Sequence, residues 1–235
     1  TAYEMPKWLE FRRVLFRSLM VKNIIILGAT GGCFDIVNLI NDINTQNKKT
    51  KYQIYGFLDD RIKKKVMHGI KVLGKFNELK NYKKKFYFTT AIGNSKNFRK
   101  IKDTLEKLKI NKRKFVTLIH PSATISKFSS IGYGCLIFQN VTISTNVIIE
   151  DFVQILPNAV INHDSLISSY CKINTGCNIS SEVIVKNYCY LGAGSIIKEK
   201  ITINSGNLIG MGSVVLKSIY KKNKTSYGHP AKIIL

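Results

Sequence analysis

From Ile125 to Val215 every sixth residue is isoleucine, leucine or valine, sixteen in succession without a break. A helix repeats every 3.6 residues and a half-buried strand every two, so neither accommodates this spacing. A six-residue period is the mark of a parallel β-helix, in which three hexads complete one triangular coil and each coil buries its apolar side chains against its neighbours. Sixteen hexads make about five coils. The fourth residue after each aliphatic is mostly small or β-branched, as at Ser129, Cys135, Val141, Ala159 and Ser165, and is expected to point inward beside it. Cys135, Cys171, Cys177 and Cys189 fall at this position and need be nothing more than small core groups. None of the five cysteines forms a C-x-x-C pair, so no zinc site or disulfide is expected, and a reduced cytoplasmic setting is. Tyr133, Phe138, Phe152, Tyr170, Tyr188 and Tyr190 fall outside the inward positions and are read as a self-association surface, with a homotrimer the expected state.

The chain before the repeat obeys a different rule. An aliphatic run from Asn23 to Leu27 ends in Gly28-Ala-Thr-Gly31-Gly32, and an amphipathic stretch follows. This order of strand, glycine-rich turn and helix suits phosphate binding, because glycine allows close backbone approach and a helix N-terminus favours anions. "YQIYGFLDDR" reads as a second strand ending at Asp59-Asp60-Arg61, "FYFTTAIGN" as a third ending at Gly93-Asn94, and "KFVTLIH" as a fourth, with a helix between the last two from about Asn97 to Lys109. Strands alternating with helices predict a Rossmann-like α/β domain over residues 20–118, a β-helix over 119–217 and a C-terminal tail over 218–235. The turn spacing G-x-x-G-G departs from G-x-G-x-x-G, and the acidic pair lies about 30 positions on rather than about 20. A nucleotide or nucleotide sugar is therefore expected there before NAD. Residues 1–19 contain "EFRRVLFRS", which resembles translated vector sequence; they are read as a non-native leader, with Met20 as the start.

The net charge is +23, but it is unevenly spread. Residues 1–120 hold 27 Lys/Arg against 9 Asp/Glu, whereas residues 121–217 hold 6 against 5. Lysine runs on polar faces explain this better than nucleic-acid binding, which is not expected, and the same surplus attracts a small polyanion. No apolar run approaches the roughly 18 residues needed to span a bilayer, so no stable membrane insertion is expected.

Taken in order, "ILGATGG", "FLDDR", "AIGNSKNFRK", "IHPSATIS", "VINHDSLIS", "CYLGAGSII" and "GHPAKII" resemble the bacterial sialic-acid O-acetyltransferase family of hexapeptide-repeat acyltransferases. That family includes N-acetyltransferases of UDP-4-amino-4,6-dideoxy sugars, as in bacillosamine synthesis. The resemblance runs from Met20 to Leu235. It implies a left-handed β-helix, a trimer, acetyl-CoA bound along the coil between subunits, no metal, and a sugar nucleotide held by the N-terminal domain. Carried over by position, it puts the catalytic histidine at His163 and its carboxylate at Asp164. The nucleotide is assigned to Gly28, Thr30, Gly31, Gly32, Asp59, Asp60, Arg61 and Gly93. Acetyl-CoA is assigned to Lys172, Gly192, Ala193, Gly210 and Met211. Two departures stand out: the loop histidine of G-x-x-G-H-G is replaced, leaving Gly32-Cys33, and a second histidine that faces the thioester in the sugar N-acetyltransferases is here Lys172. A lysine there either polarises a carbonyl as a cation or points to solvent.

Acetyl transfer needs a base for the attacking group, and histidine titrates near working pH. In Ile161-Asn162-His163-Asp164-Ser165-Leu166 the inward pair is Ile161 and Ser165, which leaves His163 and Asp164 exposed. The repeat itself requires neither. His120, His229 and His68 are read as structural, turn and surface residues. A zinc carbonic anhydrase is excluded because the coil offers one histidine where three are needed. N-acetylation of a UDP-amino sugar, favoured by Asp59-Asp60, stays open beside O-acetylation of a sialic acid and beside a non-catalytic sugar-nucleotide scaffold.

Overall fold

The computed structural model describes residues 20–29, 31–46, 50–93 and 95–234; the leader, Thr30 and Asn94 lie outside them. Strand β1 (Met20–Leu27) pairs in parallel with β2 (Thr50–Leu58) on one side and β5 (Tyr87–Thr90) on the other. A short antiparallel hairpin, β3 (Val66–Met67) and β4 (Ile70–Gly74), completes the order β3-β4-β2-β1-β5, with β4 parallel to β2. Helix α1 (Cys33–Gln46) buries Cys33, Ile36, Leu39, Ile40 and Ile43, an apolar stripe at three- and four-residue steps. Helix α2 (Ile101–Lys107) is shorter than the sequence suggests, preceded by one 3₁₀ turn at Phe98–Lys100.

The fourth strand expected of this domain belongs elsewhere. Leu118–Ile119 forms β6 and pairs with β9 (Leu136–Ile137), so "KFVTLIH" opens the coil, while a bridge between Phe88 and Phe115 ties its start to the first sheet. From β7 (Thr124–Ile125) to β22 (Val214–Val215), sixteen two-residue strands follow, each ending on one of the periodic aliphatics. Partners lie 18 residues apart, as in Val160 with Asn178, which sorts the strands into three parallel sheets. Face 1 runs through β7, β10, β13, β16, β19 and β22; face 2 through β8, β11, β14, β17 and β20; face 3 through β6, β9, β12, β15, β18 and β21. The tail is not free: β23 (Thr225–Gly228) and β24 (Ala231–Ile233) extend face 3 as a hairpin.

The coil interior is a column of aliphatics with small residues between them. Ser165 shows why the small position is often polar: its Oγ donates to the Ser180 carbonyl at 3.1 Å and accepts the Val183 amide at 3.1 Å, stitching one coil to the next. Cys171 does the same with sulfur, donating to the Lys186 carbonyl and accepting the Cys189 amide. All five cysteines are free and buried, and burial pushes the Cys135 and Cys177 thiols up to about 12.

Each corner from Gly134 to Gly212 carries one residue with positive φ, the third after the aliphatic. These residues form one ladder per edge. The edge from face 3 to face 1 carries Asn140, Asn158, Gly176, Gly194 and Gly212; that from face 1 to face 2 carries Asn146, Asp164, Glu182 and Lys200; that from face 2 to face 3 carries Gly134, Phe152, Tyr170, Tyr188 and Gly206. Glycine, asparagine and aspartate tolerate this conformation, whereas bulky aromatics there are unusual.

The aromatics are not the self-association surface expected of them. Phe152 and Phe138 are buried against the N-terminal domain, Phe152 packs edge-on to Phe115, and Phe152, Tyr170 and Tyr188 stack in sequence with ring centroids 5.2 and 5.4 Å apart. Tyr190 packs on Phe98 at 5.5 Å, and only Tyr133 is an exposed large ring among the six. Both faces of the β1 sheet reach the coil: Ile24 and Ile26 cluster with Leu136 and Phe138, and Ile25 and Leu27 with Phe115 and Phe152. The N-terminal domain therefore shares its core with the outside of face 3, and that junction positions the site.

Candidate functional site

The junction leaves a cavity of about 730 Å³ between the glycine-rich turn and face 3. Its walls bring together Gly28, Gly31, Gly32, Asp59, Asp60, Arg61 and Gly93, which lie up to 65 positions apart in sequence. Gly28 sits at φ +94 with its amide on the Leu58 carbonyl, so the turn leaves the sheet directly beside the end of β2. Asp59 lines the cavity and also has a structural task. It is almost fully buried, and its two oxygens accept the amides of Ala29 and Arg61, both at 2.8 Å. It thus braces the glycine turn from behind. Asp60 accepts the Phe76 amide at 2.9 Å, yet lines the cavity beside Arg61.

Lys172 also lines this cavity. It projects from β15 (Lys172–Ile173) on face 3 and donates to the Gly93 carbonyl at 3.1 Å. Burial lowers its pKa, opposed in part by the negative charge of Asp35. Gly192, Ala193, Gly210 and Met211, with which the resemblance groups it, belong to the edge from face 3 to face 1, and none of the four lines the cavity. Gly192 is explained by packing, since a Cβ there would stand 2.6 Å from the carbonyl carbon of Gly210 and the amide of Met211. Met211 is 80% exposed on that edge, beside Ala193.

His163 and Asp164 stand at the corner after β13 (Val160–Ile161), on the edge from face 1 to face 2. Ile161 and Ser165 are buried and the pair itself is exposed, as the hexad pattern requires. Nδ1 of His163 lies 2.7 Å from Oδ2 of Asp164, and Asn146 donates to the other carboxylate oxygen at 3.1 Å. These two hydrogen bonds, that from His163 first, hold the Asp164 carboxyl below the ordinary carboxylate range. A carboxylate only accepts, so Nδ1 carries a proton, which in the neutral ring makes Nε2 the accepting nitrogen. Asp164 is at the same time a positive-φ corner residue, at φ +59. The repeat does favour an aspartate or asparagine at this position; the histidine is the residue it does not explain. The edge lies opposite face 3 in a triangular prism, so one chain does not bring His163 to its own cavity.

Sequence reasoning missed Gln154, Asp35, Asn97 and Phe138 as cavity-lining residues. Gln154 is buried on face 3, one coil before Lys172, with its amide nitrogen 3.4 Å from the carbonyls of Thr90 and Ile92. The remaining histidines match their readings: His120 ties Ser122 to Asp42 of α1, His68 is exposed against the Phe34 ring, and His229 follows β23 at the hairpin turn. Among the described residues no helix is long and apolar enough to cross a membrane, and no group of three or more His, Cys, Asp or Glu is placed to hold a metal.

The chain matches the family description "PglD N-terminal domain" over residues 23–105 and "GMPPB C-terminal domain" over residues 115–225. It is 30% identical over 127 residues to a GDP-perosamine N-acetyltransferase of Escherichia coli O157:H7, a match spanning 54% of this chain and 56% of that protein. The acetyltransferase domain of PglB from Neisseria gonorrhoeae FA1090 superposes with a TM-score of 0.77 at 27% identity, covering 91% of this chain and 100% of that one. Its complex with acetyl coenzyme A gives 0.77 at 26% identity, covering 91% and 99%. The chain is thus built as an N-terminal domain of the PglD kind on a left-handed parallel β-helix, the fold of the PglB acetyltransferase domain.

Proposed function

We propose that this protein is an acetyl-CoA-dependent N-acetyltransferase acting on the amino group of a nucleotide-linked 4-amino-4,6-dideoxy sugar. The observation that carries the proposal is the His163–Asp164 pair, held at 2.7 Å on an exposed edge of the coil. Support comes also from the relatives, one named for GDP-perosamine N-acetylation and one solved with acetyl coenzyme A. The neutral amine attacks the thioester carbonyl carbon while Nε2 of His163 takes its proton. The tetrahedral intermediate collapses, the carbon–sulfur bond breaks, and the imidazolium returns the proton to the departing thiolate. Asp164 stabilises the imidazolium and keeps Nε2 as the accepting nitrogen.

In this reading the cavity at the glycine turn holds the nucleotide, and acetyl-CoA lies along the edge bearing Ala193 and Met211. Gly176, Gly194 and Gly212 leave that edge without side chains at three successive corners, room for a long thin ligand. Because His163 lies across the prism from the cavity, a second copy brings the base to the sugar, which calls for the homotrimer. Faces 1 and 2 flank His163 and expose Ile196 and Ile148, 46% and 51% accessible, as apolar surface for that contact. The test is turnover of acetyl-CoA with UDP- and GDP-linked 4-amino sugars beside free and CMP-linked sialic acids. Acetylation of an amino sugar is the expected result; turnover confined to the sialic acids, or none, would overturn it.

A further inference from the structure

Among the described residues two cations line the cavity, the largely exposed Arg61 and the half-buried Lys172. Lys172 stands on a rigid strand, packed between Gln154 and Tyr190 of the neighbouring coils. Its Nζ has one acceptor, the Gly93 carbonyl, and among the described residues no carboxylate lies within 4.0 Å of it. The acids that share the cavity do not supply the missing charge. Asp59 spends both oxygens on backbone amides, Asp60 is engaged with Phe76, and Asp35 acts on Lys172 only at longer range. Arg61 also lines the cavity, with its Nε 3.6 Å from Asp59, while Arg99 donates to the carbonyl of Gly206 at 2.7 Å. A desolvated ammonium with two unspent N–H groups and no counter-ion is costly in the free protein and is compensated when an anion enters. The opposite wall supplies Gly31 and Gly32 at the start of the 14-residue helix α1, a backbone suited to the same anion.

We infer that Lys172 binds the diphosphate of the nucleotide sugar, and that it serves this cavity rather than the acyl donor. The inference rests on the nucleotide-sugar reading above and sharpens it: the residue standing where relatives are expected to place a thioester-facing histidine has become part of the acceptor site. Its contact with Gly93 links the coil to the loop after β5 (Tyr87–Thr90), so the phosphate is held where both parts of the chain meet.

Diphosphate also occurs in coenzyme A, and the test separates the two sources. Calorimetric titration of UDP, GDP, the bare nucleosides and CoA is carried out on the wild type and on Lys172→Met, Lys172→Gln and Lys172→Arg, each checked by thermal melting. Glutamine keeps a donor for the Gly93 carbonyl without the charge. The expected result is a loss of roughly tenfold or more in nucleoside diphosphate affinity for Met and Gln, partial retention for Arg, and unchanged affinity for the nucleoside and for CoA. Weakened CoA binding with unchanged UDP and GDP would assign Lys172 to the acyl donor and overturn the inference. Equal losses for nucleoside and diphosphate, or full affinity in Lys172→Gln, would reduce it to a structural tether. If the wild type binds neither UDP nor GDP, the nucleotide-sugar reading falls and takes the inference with it, whereas wild-type binding insensitive to Lys172 overturns the inference alone.

Discussion

At the scale of single residues, Asp164 serves two demands at once, and they can be separated. As a corner residue it must accept positive φ; as the partner of His163 it must accept a hydrogen bond from Nδ1. Asparagine meets the first demand, as Asn146 and Asn158 do in other corners, and its amide oxygen can still accept from Nδ1, but it lacks the charge that stabilises the imidazolium. Asp164→Asn is therefore expected to keep the fold with a small fall in melting temperature at neutral pH, where the carboxylate contributes, and to lose most of its acetyl-transfer rate; Asp164→Ala is expected to melt lower still with the same loss of rate. Acid resolves the pair further. The folded-state pKa of Asp164 is depressed, so its contribution to stability is present above the unfolded carboxylate pKa and lost as pH falls through the folded value. A melting curve followed downward in pH should show this loss in the wild type and not in Asp164→Asn.

At the scale of elements, the hexad pattern made the coil legible because burial imposes it: every periodic aliphatic from Ile137 to Val215 is buried. Ile179→Ala is expected to cost about 2–5 kcal/mol, read as a lower denaturation midpoint, since a void in a stacked coil has no mobile neighbour to fill it. The outward positions were harder to read at a period of six, because three unlike faces are interleaved. Taken every 18 residues, the residue before the aliphatic separates them. Face 3 carries Leu118, Leu136, Gln154, Lys172, Tyr190 and Leu208, while face 1 carries Thr124, Thr142, Val160, Asn178, Ile196 and Val214. The same step separates the corners into an aromatic, a polar and a glycine-rich edge. Read so, Phe152, Tyr170 and Tyr188 form one line, and Gln154 and Lys172 another. The short strand Leu118–Ile119 stayed ambiguous because a two-residue rung and a short domain strand look alike in sequence.

At the scale of the whole molecule, the N-terminal domain covers face 3 and leaves faces 1 and 2 as the surfaces flanking the His163 edge. Which side chains meet in the cavity was not legible, because Asp59 and Gln154 acquire their partners only when the two parts of the chain pack. Ile148→Lys, on face 2, is expected to convert a trimer into smaller species in light scattering while leaving the coil's circular dichroism intact. The account then requires that these species lose activity, since the base and the cavity no longer share a site. The most direct test of the central claim is the rate of thiol release from acetyl-CoA in the presence of a UDP- or GDP-linked 4-amino sugar, compared between wild type and His163→Asn of unchanged assembly. The account predicts turnover by the wild type and a fall of about 10²–10⁴-fold in kcat for the variant; turnover by His163→Asn at the wild-type rate would contradict it.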